Sequence, residues 1–413
     1  MRILSGRAAS AMVERLAGRG SELSKVEPQV RRIVNDVRRH GDVALRRYGR
    51  RWDSLKPNQP ILVPESELQS ASRSISPQLR TSLRQAAANI RRFCEWQRPS
   101  SWTRKRNGIS LGQLIRPLES VGCYVPGGRH PLVSTLLMTV IPAQVAGVKN
   151  IRVASPKPSS EILAAAAMLS VREVYCVGGA QAIAAFAYGT GTIPRVDKIV
   201  GPGNSYVTTA KKMVAFDCAI DFMAGPTETI VLSEDGLPEF IAADLLAQAE
   251  HDPEALAIFI TSSRKLARSV TDCLDKAAGD NSVARQSLRR RGGVLIAPSR
   301  KTARDWANRL APEHITISKE DLPFIQNAGS IFVGDFSAQA AGDYASGPNH
   351  VLPTGGQAKF RGGLSVMDFV KLITVQELSS EGLRKISKTV ESLAQIEGLE
   401  AHAQSIRVRC NHA

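Results

Sequence analysis

The chain has 413 residues, 54 of them Lys or Arg and 38 Asp or Glu, for a formal charge of +16. Hydrophobic residues make up 43% and charged residues 22%, the balance of a folded, water-facing protein with room for more than one core. This composition excludes a disordered chain, a collagen-like repeat and a coiled coil, and no apolar run approaches the ~18 residues of a membrane-spanning helix.

The opening stretch, MRILSGRAASAMVERLAGRG, carries basic residues, but Glu14 and Arg15 interrupt any apolar core of secretory type, so it reads as an amphipathic helix. Six scattered cysteines without a CxxC pair argue against a disulfide framework, a zinc finger or an iron–sulfur site, and for a reducing, cytoplasmic setting. Positive charge gathers in residues 1–115, which hold 23 Lys+Arg against 9 Asp+Glu, including the pairs Arg38/Arg39 and Arg46/Arg47. No nucleic-acid-binding motif accompanies the charge and aromatics are only 5%, so the pattern reads as a solvated helix face rather than a nucleic-acid surface.

From about 20 to 95 apolar residues recur three and four apart, as at Val30, Ile33 and Val37, predicting helices, with a short strand at 61–63. The texture changes at 115. The strand IRPLESVGCYV ends in a glycine turn, and a helix follows to about Val148. NIRVASP, VREVYCVGG and DKIVGPG then read as strands separated by Ala-rich helices. After Gly225 the alternation resumes, with strands at ETIVLSE, ALAIFITSS, GGVLIAP, HITIS and SIFVGD. Near-continuous apolar strands alternating with helices predict two successive doubly wound α/β units, each a parallel sheet covered on both faces. Residues 379–405 read as a final amphipathic helical tail.

Ligands in such sheets sit beyond the carboxyl ends of the strands. Three glycine-rich turns fall there: Val125–Gly128, Val177–Gln181 and Val200–Asn204. Free N–H groups at the start of a helix suit a pyrophosphate, although none of the turns is G-x-G-x-x-G and any one alone is more often a plain tight turn. Gln248 and His251 share one face at the end of a helix, where a lone His is more often a cap. Glu313-His314 joins a helix to a strand, and such a pair offers two proton carriers of different pKa or an ordinary surface loop. The loop Gly342–His350 packs Asp343, Asn349 and His350 among small residues and reads as a site loop, while Glu397 and His402 lie near a glycine that routinely caps a helix. Gln, His, Asp and His form a thiolate-free N/O donor set that suits zinc or manganese with open positions.

Together, VGCYVPGGRHPL, VGGAQAIAAFAYGT, VDKIVGPGNSYV, AGPTE, DLLAQAEHDP, APEH, GDYASGPNHVLPT and EGLEAH resemble the histidinol dehydrogenase family from about residue 20 to 409. The resemblance implies two Rossmann-like domains with N-terminal helices: one from 1–114 with 226–365, an NAD-binding one at 115–225, and a helical tail, 366–413, reaching a partner subunit. It implies a cytoplasmic homodimer that oxidises L-histidinol to L-histidine with NAD and one Zn2+ per subunit. Carried across, the zinc ligands are Gln248, His251, Asp343 and His402, and the proton carriers Glu313 and His314. Substrate contacts are Thr227, Gln248, His251, His314, Asp343, His350, Glu397 and His402, with Glu397 and His402 acting on the other subunit's site. NAD contacts are Tyr124, Gln181 and Asn204. Thr227 departs from the Ser usual in the family's AGPSE segment: the hydroxyl survives but a methyl is added. The same fold acting on another small polar alcohol, such as a sulfonated diol, is the alternative reading.

Overall fold

The computed structural model describes residues 1–19, 23–127, 132–277, 279 and 282–412. The Gly128–Pro131 end of the first glycine-rich motif, with Arg129 and His130, lies outside the described residues.

The strands in chain order are β1 (Ile3–Ser5), β2 (Trp102–Arg106), β3 (Ile109–Pro117), β4 (Ser120–Tyr124), β5 (Asn150–Ala154), β6 (Glu173–Tyr175) and β7 (Lys198–Val200). They continue as β8 (Ala219–Ile220), β9 (Glu228–Leu232), β10 (Leu256–Thr261), β11 (Gly293–Ile296), β12 (His314–Ile317), β13 (Ser330–Val333) and β14 (Val370–Leu378). Two parallel sheets result, as the apolar runs require. One is ordered β1-β11-β10-β9-β12-β13, the other β6-β5-β4-β7-β8. Every residue of β4, β9, β10 and β11 is buried, because helices cover both faces. The winding direction reverses between β9 and β12 in the first sheet and between β4 and β7 in the second.

Several elements differ from the sequence expectation. The grouping of all of 1–114 with the six-stranded sheet is corrected by the packing. β1 pairs with β11, but Val30, Leu45, Leu83 and Ile90, from the helices Glu27–Trp52 and Pro77–Gln97, share one core with Val121 and Cys123 of the five-stranded sheet. The tail is not wholly helical: β14 pairs antiparallel with β3 from Val370↔Pro117 to Leu378↔Ile109. β2 and β3 form a hairpin over Asn107-Gly108, both at positive φ, the geometry that an Asn-Gly turn favours. The expected strand at 61–63 makes a single bridge, Leu62 to Tyr175. The last amphipathic segment is two helices, Ser380–Ile396 and Glu400–Asn411, separated where Gly398 takes φ 71°.

Many arginines of the basic first third serve the fold. Arg31 pairs with Glu27, Arg47 with Asp36, and Arg46 and Arg50 donate to the carbonyls of Gln59 and Pro57. Arg38 lies over the Tyr188 ring. Among the described residues no helix is long and apolar enough to cross a membrane.

The amino edge of the six-stranded sheet faces the carboxyl edge of the five-stranded one. The loop after the helix Gln339–Tyr344 bonds to the helix Val133–Ala146 that follows β4: Asn349 Nδ2 donates to the Met138 carbonyl at 2.6 Å, and His350 Nε2 lies 3.4 Å from Thr135 Oγ1.

The core beneath that edge depends on one close approach. Gly122 of β4 has no side chain because the fully buried Phe186 ring occupies the space; a Cβ there would lie 2.6 Å from Phe186 Cδ2. Phe186→Ala should cost about 3–5 kcal/mol through the cavity it leaves. Gly122→Ala alone should destabilise by overpacking, and the double variant should be more stable than the sum of the two losses predicts. Denaturant unfolding of the four proteins checks this.

Candidate active site

The helix Pro238–Ala249 follows β9 and runs back along the sheet, so its last turn returns to the amino edge, where β9 and β12 begin. Gln248 is therefore buried beside Thr227, and its Nε2 donates to Thr227 Oγ1. The Thr227 hydroxyl in turn donates to Glu313 Oε2 at 2.6 Å. That oxygen also accepts the N–H of Glu228, the first residue of β9, at 2.8 Å.

His314 opens β12, paired opposite Thr229. Its Nδ1 lies 3.4 Å from the Glu228 carbonyl and 3.8 Å from Glu313 Oε2, and its Nε2 lies 3.4 Å from Asp343 Oδ1. Asp343 belongs to the helix Gln339–Tyr344, and its carbonyl accepts from His350 Nδ1 at 2.7 Å.

The electrostatics follow from these neighbours. Burial pushes the Glu313 carboxyl up to about 7, against the opposing pull of His314. Burial opposes charge on His314 too, but the Glu313 carboxylate and Asp343 outweigh it, and the imidazole is raised above its usual range. Burial also works against ionised Asp343, yet the hydrogen bond and charge of His314, with His350 and His251 nearby, hold its carboxyl low. His350 is lowered by burial, which keeps it neutral as a donor to the Asp343 carbonyl.

Thr227, Gln248, Glu313, His314, Asp343 and His350 thus converge on one edge, with exposed His251 close enough to act on Asp343 and His350. Glu397 and His402 do not join them within the chain. Both are exposed, and no hydrogen bond or ion pair links them to this edge among the described residues. Glu313 and His314 stand at the amino end of β12, beside that of β9, not beyond the carboxyl ends; the carboxyl-end position belongs to the glycine turns of the other sheet.

There the three proposed cofactor residues are built into turns. Tyr124, at the end of β4, is buried, and its hydroxyl accepts the Gly179 N–H at 3.0 Å. Gln181 is buried and donates to Asp53 Oδ2 at 3.0 Å, as does the Gly178 N–H. Asn204 caps the helix Ser205–Val214, accepting the N–H groups of Tyr206 and Val207 at 3.0 and 3.2 Å. Gly201 takes φ 114° and leaves no room for a side chain, since a Cβ would lie 2.2 Å from the Tyr124 carbonyl.

Several site-building residues escaped sequence reasoning. Asp53 carries no local signal, being the residue after a helix. Lys211 and Asp221 form a buried ion pair around the Gly201 turn: Asp221 Oδ2 accepts the Gly201 N–H at 2.7 Å, and Lys211 Nζ donates to the Gly201 carbonyl at 3.0 Å. Asp244, one turn before Gln248, accepts from the Gln339 N–H and the Thr316 hydroxyl, and burial raises it to about 6. Gln339, one turn before Asp343, bridges Thr229 and Thr316 at 2.7 and 2.9 Å. Only the spacings 244/248 and 339/343 could have suggested this support.

The Glu313 carboxyl should titrate with a midpoint of about 7, and Thr227→Val should move it higher, because the hydroxyl that favours the ionised form is gone. Carboxyl 13C difference spectra against Glu313→Gln read both values.

The histidinol dehydrogenase family model matches residues 17–410. The chain is 46% identical over 392 residues to histidinol dehydrogenase of Methanothermobacter thermautotrophicus, covering 91% of this chain and 92% of that one. It is 46% identical over 404 residues to that of Haloarcula marismortui, covering 95% of each. The crystal structure of histidinol dehydrogenase from Elizabethkingia anophelis aligns with a TM-score of 0.93 at 34% identity, over 100% of this chain and 98% of that one.

Proposed function

The chain belongs to the histidinol dehydrogenase family, and we propose that it oxidises L-histidinol to L-histidine through L-histidinal, in two NAD-linked steps with one zinc ion per subunit. The observation that carries this reading is the buried Glu313–His314 pair, held on one side by Thr227 and the Glu228 peptide and on the other by Asp343.

The residues present fit a zinc ion. The Gln248 amide is oriented by its N–H bond to Thr227, which leaves Oε1 as the free donor atom, and Asp343 is held ionised beside His251. Among the described residues of one chain, no three His, Cys, Asp or Glu side chains are grouped closely enough to hold a metal ion by themselves. His402, exposed on the tail, is the remaining donor, supplied from a second copy of the chain. The exposed apolar residues Leu372, Ile373 and Val375 on β14 and Leu393, Ile396 and Leu399 on the tail support such a dimer. When bound, zinc supplies a Lewis-acidic anchor for substrate nitrogens, and NAD supplies the hydride acceptor.

His314, with acceptors on both nitrogens, takes the alcohol proton in the first oxidation. Glu313, with its pKa near neutrality, removes a proton from water to hydrate the aldehyde carbon. His314 accepts again in the second oxidation. Thr227 holds the ionised Glu313 and the Gln248 amide together through one hydroxyl, which explains why Thr can replace Ser here. His350, Glu397 and His402 complete the substrate pocket. Tyr124, Gln181 and Asn204 shape the cofactor turns, with Asp53 fixing Gln181.

Both bases work unprotonated and both sit above their usual pKa values, so the rate should rise with pH through neutrality. NADH formation from histidinol should stop when a chelator strips the metal and return with zinc. Glu313→Gln should spare the first oxidation more than the second; full-rate oxidation of histidinal by that variant would remove Glu313 from its role. The shared site has a direct check. Mixed His314→Ala and His402→Ala subunits should regain about a quarter of wild-type activity in random dimers, because half the dimers then hold one intact site.

A further inference from the structure

Arg19 is not among the converging site residues, yet it is tied to β9 and to the helix end that precedes β12. Its Nε donates to Glu228 Oε1 and its Nη2 to Glu228 Oε2, each at 2.6 Å, a two-pronged pair with side chains only 8% and 5% exposed. Nη2 also donates to the Leu310 carbonyl at 2.8 Å, and Nη1 to the Leu16 carbonyl at 2.6 Å. Leu310 ends the helix Arg300–Leu310, three residues before Glu313, and the chain turns there through Ala311 at φ 45°, a conformation costly for a residue with a Cβ. Glu228 is the residue whose N–H binds Glu313 and whose carbonyl faces His314. One guanidinium therefore grips both the β9 residue whose peptide groups face the proton carriers and the turn that leads into the segment carrying them. The Gly355 N–H gives Glu228 a second partner at 3.1 Å, but no second cation pairs with Glu228 among the described residues.

We propose that Arg19 is a positioning residue for the acid–base pair. It acts through the Glu228 carboxylate and the Leu310 carbonyl to fix the peptide groups that orient Glu313 and His314. Without it, a buried carboxylate loses its cation beside a second carboxylate, and Glu228 is driven toward water, pulling its own peptide out of register. Neutralising Glu228 removes that drive, so the damage is reversible by a second substitution. The assignment of what the pair does rests on the function proposed above; the positioning itself does not.

The test compares wild type, Arg19→Met, Arg19→Lys and Arg19→Met/Glu228→Gln. Steady-state NADH formation from histidinol should show kcat reduced on the order of tenfold in Arg19→Met, with KM within about threefold, and most of kcat restored in the double variant. Arg19→Lys, which keeps the charge but not the two-pronged geometry, should fall between. In parallel, histidine-ring 15N–1H correlation spectra, assigned with His314→Asn, should show the His314 ring signal displaced in Arg19→Met and returned in the double variant. Unchanged kcat with an unmoved His314 signal overturns the proposal. So does a loss that merely follows a lowered melting temperature and is not rescued by Glu228→Gln. If Arg19→Met does not fold, Arg19→Lys carries the same comparison. If wild type makes no NADH from histidinol, the proposed function falls, and the ring signal alone decides the role of Arg19.

Discussion

Two carboxylates, Glu228 and Glu313, meet at the amino end of β9 in a region closed to water, and their repulsion must be answered by the groups around them. Arg19 takes the Glu228 oxygens, while the Thr227 hydroxyl, the Glu228 N–H and the His314 ring share Glu313. An unpaired charge in such a place is among the costlier defects a fold can carry, so each partner is held to a narrow geometry. That constraint leaves Glu313 with a proton bound about as readily as free near neutral pH, the condition under which a carboxyl can both take and return one.

The carboxyl edge of the five-stranded sheet is built on a different principle. Its helix starts offer N–H groups, but much of that capacity is met by the protein: Asp53 and the Tyr124 hydroxyl take the Gly178 and Gly179 donors, and Asn204 caps its own helix. The glycines there create close approaches, Gly201 against the Tyr124 carbonyl being the tightest, and the buried Lys211–Asp221 pair holds that turn from beneath. Hydrogen bonds within the protein thus fix these turns, which are not loose glycine loops.

Much of this was legible in the sequence. The apolar runs at β4, β9, β10 and β11 marked two parallel sheets, since only strands buried on both faces are so uniformly apolar. Asp343 and His350 stood out in a loop of small and polar residues, whereas Gln248 and Glu313-His314, readable as a helix end and a surface loop, entered the site through the resemblance; all of them converge. The grouping of the early helices was not legible, because periodicity shows that a helix has a buried face but not which sheet buries it. β14 was hidden within a tail read as helical; its pairing with β3 is a contact more than 250 residues apart in sequence. Arg19, Asp53 and Lys211 were invisible for a similar reason. Each looks like any surface charge until a distant carboxylate or peptide group reaches it.

The edge position of β1 has a bearing on how the chain assembles. Among the described residues the strand partner of residues 3–5 is 294–296, so this segment waits until the intervening chain has been made. Meanwhile most of the five-stranded half, contiguous from 27 to 225, can already close around its core. Arg19, carried on the same segment as β1, reaches Glu228 within the six-stranded half, so the ion pair beneath the site requires that half to be closed.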